Sequence, residues 1–525
     1  MMHRRHLLAA SAAGLAIPRI ARADPHVLRF VPQADLAVLD PVWTTAYITG
    51  LHAQTIFETL FAVDADLRPR HQMLAGHTVS PDGREWRLTL RDGLRFHDGE
   101  KVLARDCVAS LTRWGQRDTL GIALFAATDE LSAPDDRTIR FRLKRPFPML
   151  PFALGKANAN LPAIMPARLA GTPATARVTE MVGSGAYRFK ADEWRQGDRV
   201  VYERFDRYVP RADGTVSFLA GPRAAVVDRV EWRIMPDPGT AAAALAAGEI
   251  DWWERPTPDL LALLRRNRAI RTAVLDPLGA LQFLRFNHLF APFDNADMRR
   301  ALLGAISQTD TMTAAGGTDP AVWNDRCGAF TPGTTFATEA GLEVMTGPRD
   351  MARVKRDLAA AGYNGERIVF LGVGDVAELQ AISQVTADAL ARAGLNLDHQ
   401  VLDWGTVVQR RGSKEPPDKG GWHIMHSGFG GADMLNPATN IPLRGNAAQA
   451  WFGWPDIPRL EELRDAWMVA PDIERQKAIA AQMQGVMWEQ VPYIPLGLIR
   501  RPTAWRTSLG QISTGGTVFS SVRPA

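Results

Sequence analysis

A chain of 525 residues with 46% hydrophobic and 22% charged side chains is too long for one core and too apolar to be disordered, so two or three domains are expected. Its 61 basic and 57 acidic groups leave a net charge of only +4, and Arg4, Arg5, Arg19 and Arg22 account for that whole excess, so nothing marks a nucleic-acid surface. Two cysteines exclude a disulfide-stapled scaffold, and Cys107 and Cys327 are expected as buried free thiols.

In chain order, Arg4-Arg5 precede an uncharged run from Leu7 to Ile17, and Ala21-Arg22-Ala23 supplies a small-x-small cleavage pattern. Residues 1–23 read as an export signal of the Sec or twin-arginine type. The run is too short to span a hydrocarbon core roughly 30 Å thick, and no later stretch approaches about 18 apolar residues. No cysteine adjoins the cleavage pattern, so a soluble periplasmic protein without a lipid anchor is expected. Trp86, Leu88 and Leu90 alternate with polar residues as in a half-buried strand. Asp92-Gly93 and Asp98-Gly99 then mark turns, after which Cys107, Val108, Leu111 and Trp114 line a helical face. Ile139, Phe141 and Leu143 alternate again after the turn-forming Pro134-Asp135-Asp136. An alanine-rich helix is expected over 240–247, a strand over 281–287, and a strand–helix–strand unit over 367–371, 377–393 and 396–403.

Two patterns invite other chemistry. Gly372-Val373-Gly374-Asp375-Val376-Ala377 mimics a dinucleotide fingerprint, with Asp398 as the ribose acid, but a tight strand-to-helix turn explains its glycines better. His423 and His426 stand three apart, which on a strand puts them on opposite faces, so no metal site is read there.

Leu39-Asp40-Pro41, Glu58-Thr59-Leu60 and the stretch from Trp86 to Trp114 follow one another in an order that resembles the large peptide- and nickel-type periplasmic solute-binding proteins of ABC importers, family 5. Gly183-Ser184-Gly185, Gly248-Glu249-Ile250-Asp251, Pro292-Phe293-Asp294-Asn295 and Pro492-Tyr493-Ile494-Pro495-Leu496 extend the resemblance over nearly all of the chain after the leader. It implies an α/β fold of the bilobal periplasmic-binding-protein type (cluster C), two mixed lobes joined by a two-crossing hinge. Lobe one would cover 24–280, with an inserted subdomain at about 42–183. Lobe two would cover 281–490, and 491–525 would return to lobe one. A monomeric receptor is implied, not an enzyme, with no cofactor and no metal. It would close over a peptide or related small polar solute and deliver it to a membrane permease served by separate ATPase subunits. Opines, metal chelates and sugars stay open as ligands, since one fold serves them all, and an exported hydrolase or oxidoreductase is the remote alternative.

The same resemblance implies the ligand contacts. Asp433, four residues before Pro437, takes the place of a carboxylate that pairs with a ligand's α-ammonium group, although Phe429 stands where the family has tryptophan and one extra residue precedes Asp433. Trp404 followed by Arg410 and Arg411 takes the place of a fork for a ligand carboxylate, with strand register deciding which arginine faces the cleft. Thr45 and Tyr47 lie where a strand would pair with a peptide backbone, and His426 holds a second basic position. Residues 413–421 look like an inserted, mobile loop.

Overall fold

The alternating patterns build two large mixed sheets and a smaller antiparallel one. The structure, a computed structural model, describes residues 26–157, 159–470 and 472–523, and the expected export signal at 1–23 lies outside them. The first sheet runs Ile270–Val274, Pro502–Arg506, Trp252–Trp253, Val27–Val31, Arg229–Arg233, Arg199–Arg204, Tyr187–Phe189. Val27–Val31 is parallel to both of its neighbours and buries Phe30 against Trp252 and Phe519, with ring centroids 5.2 and 5.1 Å away. Several tryptophans are therefore core, where large rings contribute most by area and edge-to-face packing.

The second sheet runs Trp323–Asn324, Tyr493–Ile499, Ala280–Phe286, Ile424–Gly430, Arg367–Val373, Asn396–Leu402. All seven residues of Ala280–Phe286 are buried, as a central strand covered on both faces requires. One boundary differs from expectation. Tyr493–Ile499, expected in the return to lobe one, pairs antiparallel with Ala280–Phe286 inside the second sheet. The chain returns only through Arg500 and Arg501, before Pro502–Arg506 pairs with Trp252–Trp253 and Ile270–Val274. An unbroken apolar run reports burial on both faces and carries no information about which sheet supplies it.

The third sheet orders Leu74–Val79, Glu85–Leu90, Thr138–Leu143 and Thr128–Ser132. Trp86, Leu88 and Leu90 are buried on one side of it, as are Ile139, Phe141 and Leu143. Gly93 and Gly99 adopt φ of 81° and 95°, the left-handed region their turns need. Helix Ala104–Trp114 buries Cys107, Leu111 and Trp114, while Val108 is only half-buried. Both cysteines are buried free thiols.

Gly183 and Gly185 close the C-terminal end of helix Tyr47–Ile56. The Gly185 N–H donates to the Ile56 carbonyl at 2.9 Å, and a Cβ on Gly183 would collide with that same oxygen. Gly372 and Gly374 serve packing rather than a dinucleotide: side chains there would strike His399 and Val401 of the neighbouring strand. Asp398 is committed to an ion pair with Arg367.

Candidate ligand-binding site

Asp403 starts the helix that carries the first site residues. Its carboxylate accepts from the Thr406 N–H at 2.8 Å, an N-cap that launches helix Trp404–Arg410. Trp404, Val407, Val408 and Arg411 are buried, the i, i+3, i+4, i+7 spacing of one helical face. Helix phase, not strand register, therefore sorts the two arginines. Arg410 points away and donates to Gln400 Oε1 at 2.6 Å, to the Gly420 carbonyl at 2.8 Å and to the Gly421 carbonyl at 3.1 Å. The segment expected as a mobile insertion is thus strapped to the body of its lobe.

Arg411 points inward and is only 2% exposed. Its guanidinium lies 4.9 Å from the Phe452 ring centroid, 5.5 Å from that of Trp451 and 5.8 Å from that of Trp404. Nη2 donates to Thr44 Oγ1 at 3.2 Å and to Thr45 Oγ1 at 3.4 Å, while Nε has no partner. No carboxylate of the described residues stands within ion-pair distance of it. Burial pushes its pKa down to about 9. A buried cation held by rings and hydroxyls has unused capacity for an anion.

Thr44 and Thr45 reach Arg411 because Asp40 fixes the segment that carries them. Asp40 accepts from Arg113 at 3.1 and 2.6 Å, from the Val42 N–H at 3.0 Å and from the Val178 N–H at 2.8 Å. Turn contacts of this kind leave 44–46 unpaired with any sheet, so the strand expected around Thr45 is an irregular lead into helix Tyr47–Ile56. Trp451 Nε1 also donates to Thr45 Oγ1, at 3.2 Å.

Thr45, Trp404 and Arg411 border a cavity of about 130 Å³ whose lining comes from both lobes, with Tyr47 and Glu254 also from the first and Gln282 and Phe429 also from the second. Tyr47 donates to Glu254 Oε1 at 2.8 Å, and Arg255 lies over the Tyr47 ring at 4.6 Å. Gln282 Oε1 is buried without a partner. A larger cavity of about 1080 Å³ adjoins it, and Gln33, Arg255 and Arg501 line both.

Asp433 and His426 are not part of this gathering. Asp433, on the short turn Gly431–Met434, borders a separate void of about 10 Å³ together with Phe152 and Lys156. Burial pushes its carboxyl up to about 7, with Lys156 opposing and Asp118 and Asp276 adding to the rise. Lys156 itself donates to Asp118 Oδ2 at 2.5 Å. His426 is fully buried, lines neither cavity, and neither ring nitrogen has a partner, so burial pushes its pKa down to about 4. Strand alternation explains this: Ser427 and Phe429 take the cavity side of Ile424–Gly430. His423 serves the backbone instead, its Nδ1 accepting from the Val369 N–H at 3.0 Å. Sequence reasoning missed Trp451, Phe452, Glu254, Arg255 and Gln282. A usable signal existed for one pair, since Glu254-Arg255 places two charges directly after the buried Trp252-Trp253.

Two mixed sheets linked by two crossings, with unsatisfied polar groups collected between them, define a bilobal solute receptor. The chain belongs to the bacterial extracellular solute-binding proteins, family 5, whose family model matches residues 68–450. It is 37% identical over 506 residues to the "Probable peptide ABC transporter periplasmic-binding protein y4tO" of Sinorhizobium fredii, covering 95% of this chain and 94% of that one. It is 25% identical over 517 residues to the glutathione-binding protein GsiB of Salmonella typhi, covering 93% and 91%. Among solved structures it is similar to the binding protein AgaA of A. tumefaciens R10 in complex with agropinic acid, with a TM-score of 0.78, 20% identity and coverage of 95% and 99%. It is also similar to DppA of Helicobacter pylori in complex with the peptide STSA, with a TM-score of 0.79, 20% identity and coverage of 95% and 98%.

Proposed function

We propose that this protein captures a small peptide or peptide-like solute through a free carboxylate on Arg411, acting as the periplasmic receptor of an ABC importer. The observation that carries this reading is the buried Arg411 guanidinium, without a counter-ion among the described residues, between an aromatic platform and two hydroxyls of the opposite lobe. A carboxylate there would take charge-assisted bonds in a poorly hydrated site, and Gln282 Oε1 would accept from an amide N–H of the same ligand. Ligand contacts to both lobes favour closure by rotation about the crossings at 275–279 and 500–501, and a permease that reads closure would then accept the load. The receptor works as a monomer and performs no covalent step. The y4tO name supports a peptide, and the GsiB name supports a peptide-like thiol.

Native mass spectrometry of the protein as purified, beside Arg411→Ala, tests the reading. The expected result is a carboxylate-bearing molecule retained by the wild type and lost from the variant. Equal retention of the same molecule by both would overturn it.

A further inference from the structure

The geometry points to a second anion subsite at Arg255, so that the preferred ligand carries two carboxylates, one on Arg411 and one on Arg255. This rests on the receptor reading above and narrows it to a class of solute. Arg255 follows the buried Trp252–Trp253 strand of the first sheet and lies where the two cavities meet. Its guanidinium lies over the Tyr47 ring at 4.6 Å and donates from Nη1 to Gln33 Oε1 at 2.5 Å. Both partners are neutral, and no carboxylate of the described residues comes within ion-pair distance.

Of the three acids around it, Glu254 and Glu378 are engaged elsewhere, while Asp276 lines the same cavity outside ion-pair distance with one oxygen bonded to the backbone. Glu254 accepts from Tyr47 at 2.8 Å, from Thr517 at 3.1 Å and from the Gln33 N–H at 2.8 Å. Glu378 is taken by both arms of Arg501, at 2.7 and 2.5 Å. Asp276 accepts from the Leu278 N–H at 3.0 Å. Arg255 therefore presents donors to the cavity that nothing around it completes, and Arg501 beside it adds positive field without competing for an anion. Arg411 stands on the other lobe in the same wall, so a ligand with one carboxylate at each guanidinium would tie the lobes together.

Calorimetric titration of the full protein, Arg255→Gln and Arg411→Gln tests this with probe pairs that differ by one charge. The pairs are alanylglutamine with alanylglutamate, glutaminylalanine with glutamylalanine, and glutathione with its glycine ethyl ester. In the wild type the member of a pair with the extra carboxylate should bind about tenfold to a hundredfold tighter. Arg255→Gln should shrink that preference to about threefold or less, and Arg411→Gln should weaken every probe. Equal binding within each pair, or a preference that survives Arg255→Gln, overturns the second subsite and leaves the receptor reading standing. A wild type that binds none of the probes overturns both.

Discussion

Arg501 grips Glu378 with two bonds, Nε to Oε2 at 2.7 Å and Nη2 to Oε1 at 2.5 Å, joining the return crossing to the head of helix Ala377–Arg392. The two side chains are 16% and 12% exposed. Arg501→Ala leaves the carboxylate uncompensated and should cost about 3–5 kcal/mol in denaturant unfolding. Burial pushes the Glu378 pKa up, but Arg501 outweighs it and holds the group below its usual range. A depressed carboxylate contributes stability that is present above its unfolded value and is lost as pH falls through the folded one. The destabilisation of Arg501→Ala should therefore be full at pH 7 and shrink in strong acid. A gap independent of pH would sink this account.

Asp433 has the opposite sign. Its pKa rises from 3.8 to about 7, so its favourable contribution is full below the unfolded value and is lost as pH rises through about 7. Asp433→Asn should be more stable than the wild type at pH 8, by at most about 4 kcal/mol, with the gap closing toward pH 4. Thermal melts across that range decide it, and a variant less stable at pH 8 would contradict the buried-carboxyl picture.

The two neighbouring arginines should separate cleanly. Arg410→Ala frees Gly420 and Gly421, so amide exchange over 413–421 should rise while unfolding free energy drops by only about 1 kcal/mol. Ligand affinity should change far less than in Arg411→Ala. Comparable binding losses in both variants would mean that the helix phase is misassigned.

Two glycines near one helix should respond differently to the same change. A Cβ on Gly183 meets the Ile56 carbonyl, so Gly183→Ala should destabilise by about 3 kcal/mol. Gly50 lies inside helix Tyr47–Ile56 with nothing within 4 Å of an added Cβ, so Gly50→Ala should stabilise by up to about 1 kcal/mol. Calorimetric melting temperatures that move the same way would refute the contrast.

Local periodicity made much of the fold legible. Trp86, Leu88 and Leu90 read as a half-buried strand because burial on one face imposes period two, and Cys107, Leu111 and Trp114 read as a helix for the matching reason. The site was less legible. Trp404 and Arg411 stand seven apart, a helical spacing announced by the Asp403 cap and Thr406, but family likeness drew attention to strand register instead. Arg255 and Trp451 belong to the site through contacts with residues some two hundred or more positions away in the chain, which no local pattern encodes. Asp40 and Glu58 were visible as motif letters, yet both act as braces: Glu58 accepts from Gln72 at 3.0 Å, Tyr208 at 2.8 Å and Arg91 at 3.2 Å.

The late strands Tyr493–Ile499 and Pro502–Arg506 sit inside different sheets, each flanked on both sides by strands that come earlier in the chain. Ala280–Phe286 finds one of its two partners more than two hundred residues downstream, and Trp252–Trp253 waits even longer for Ala504 and Trp505. Neither sheet can be completed before residues 493–506 have been made. Loop-closure entropy of that size slows folding, so both large sheets stay incomplete until residues 493–506 are available. Removing the segment from 493 onward would therefore unmake both lobes at once rather than trim one of them.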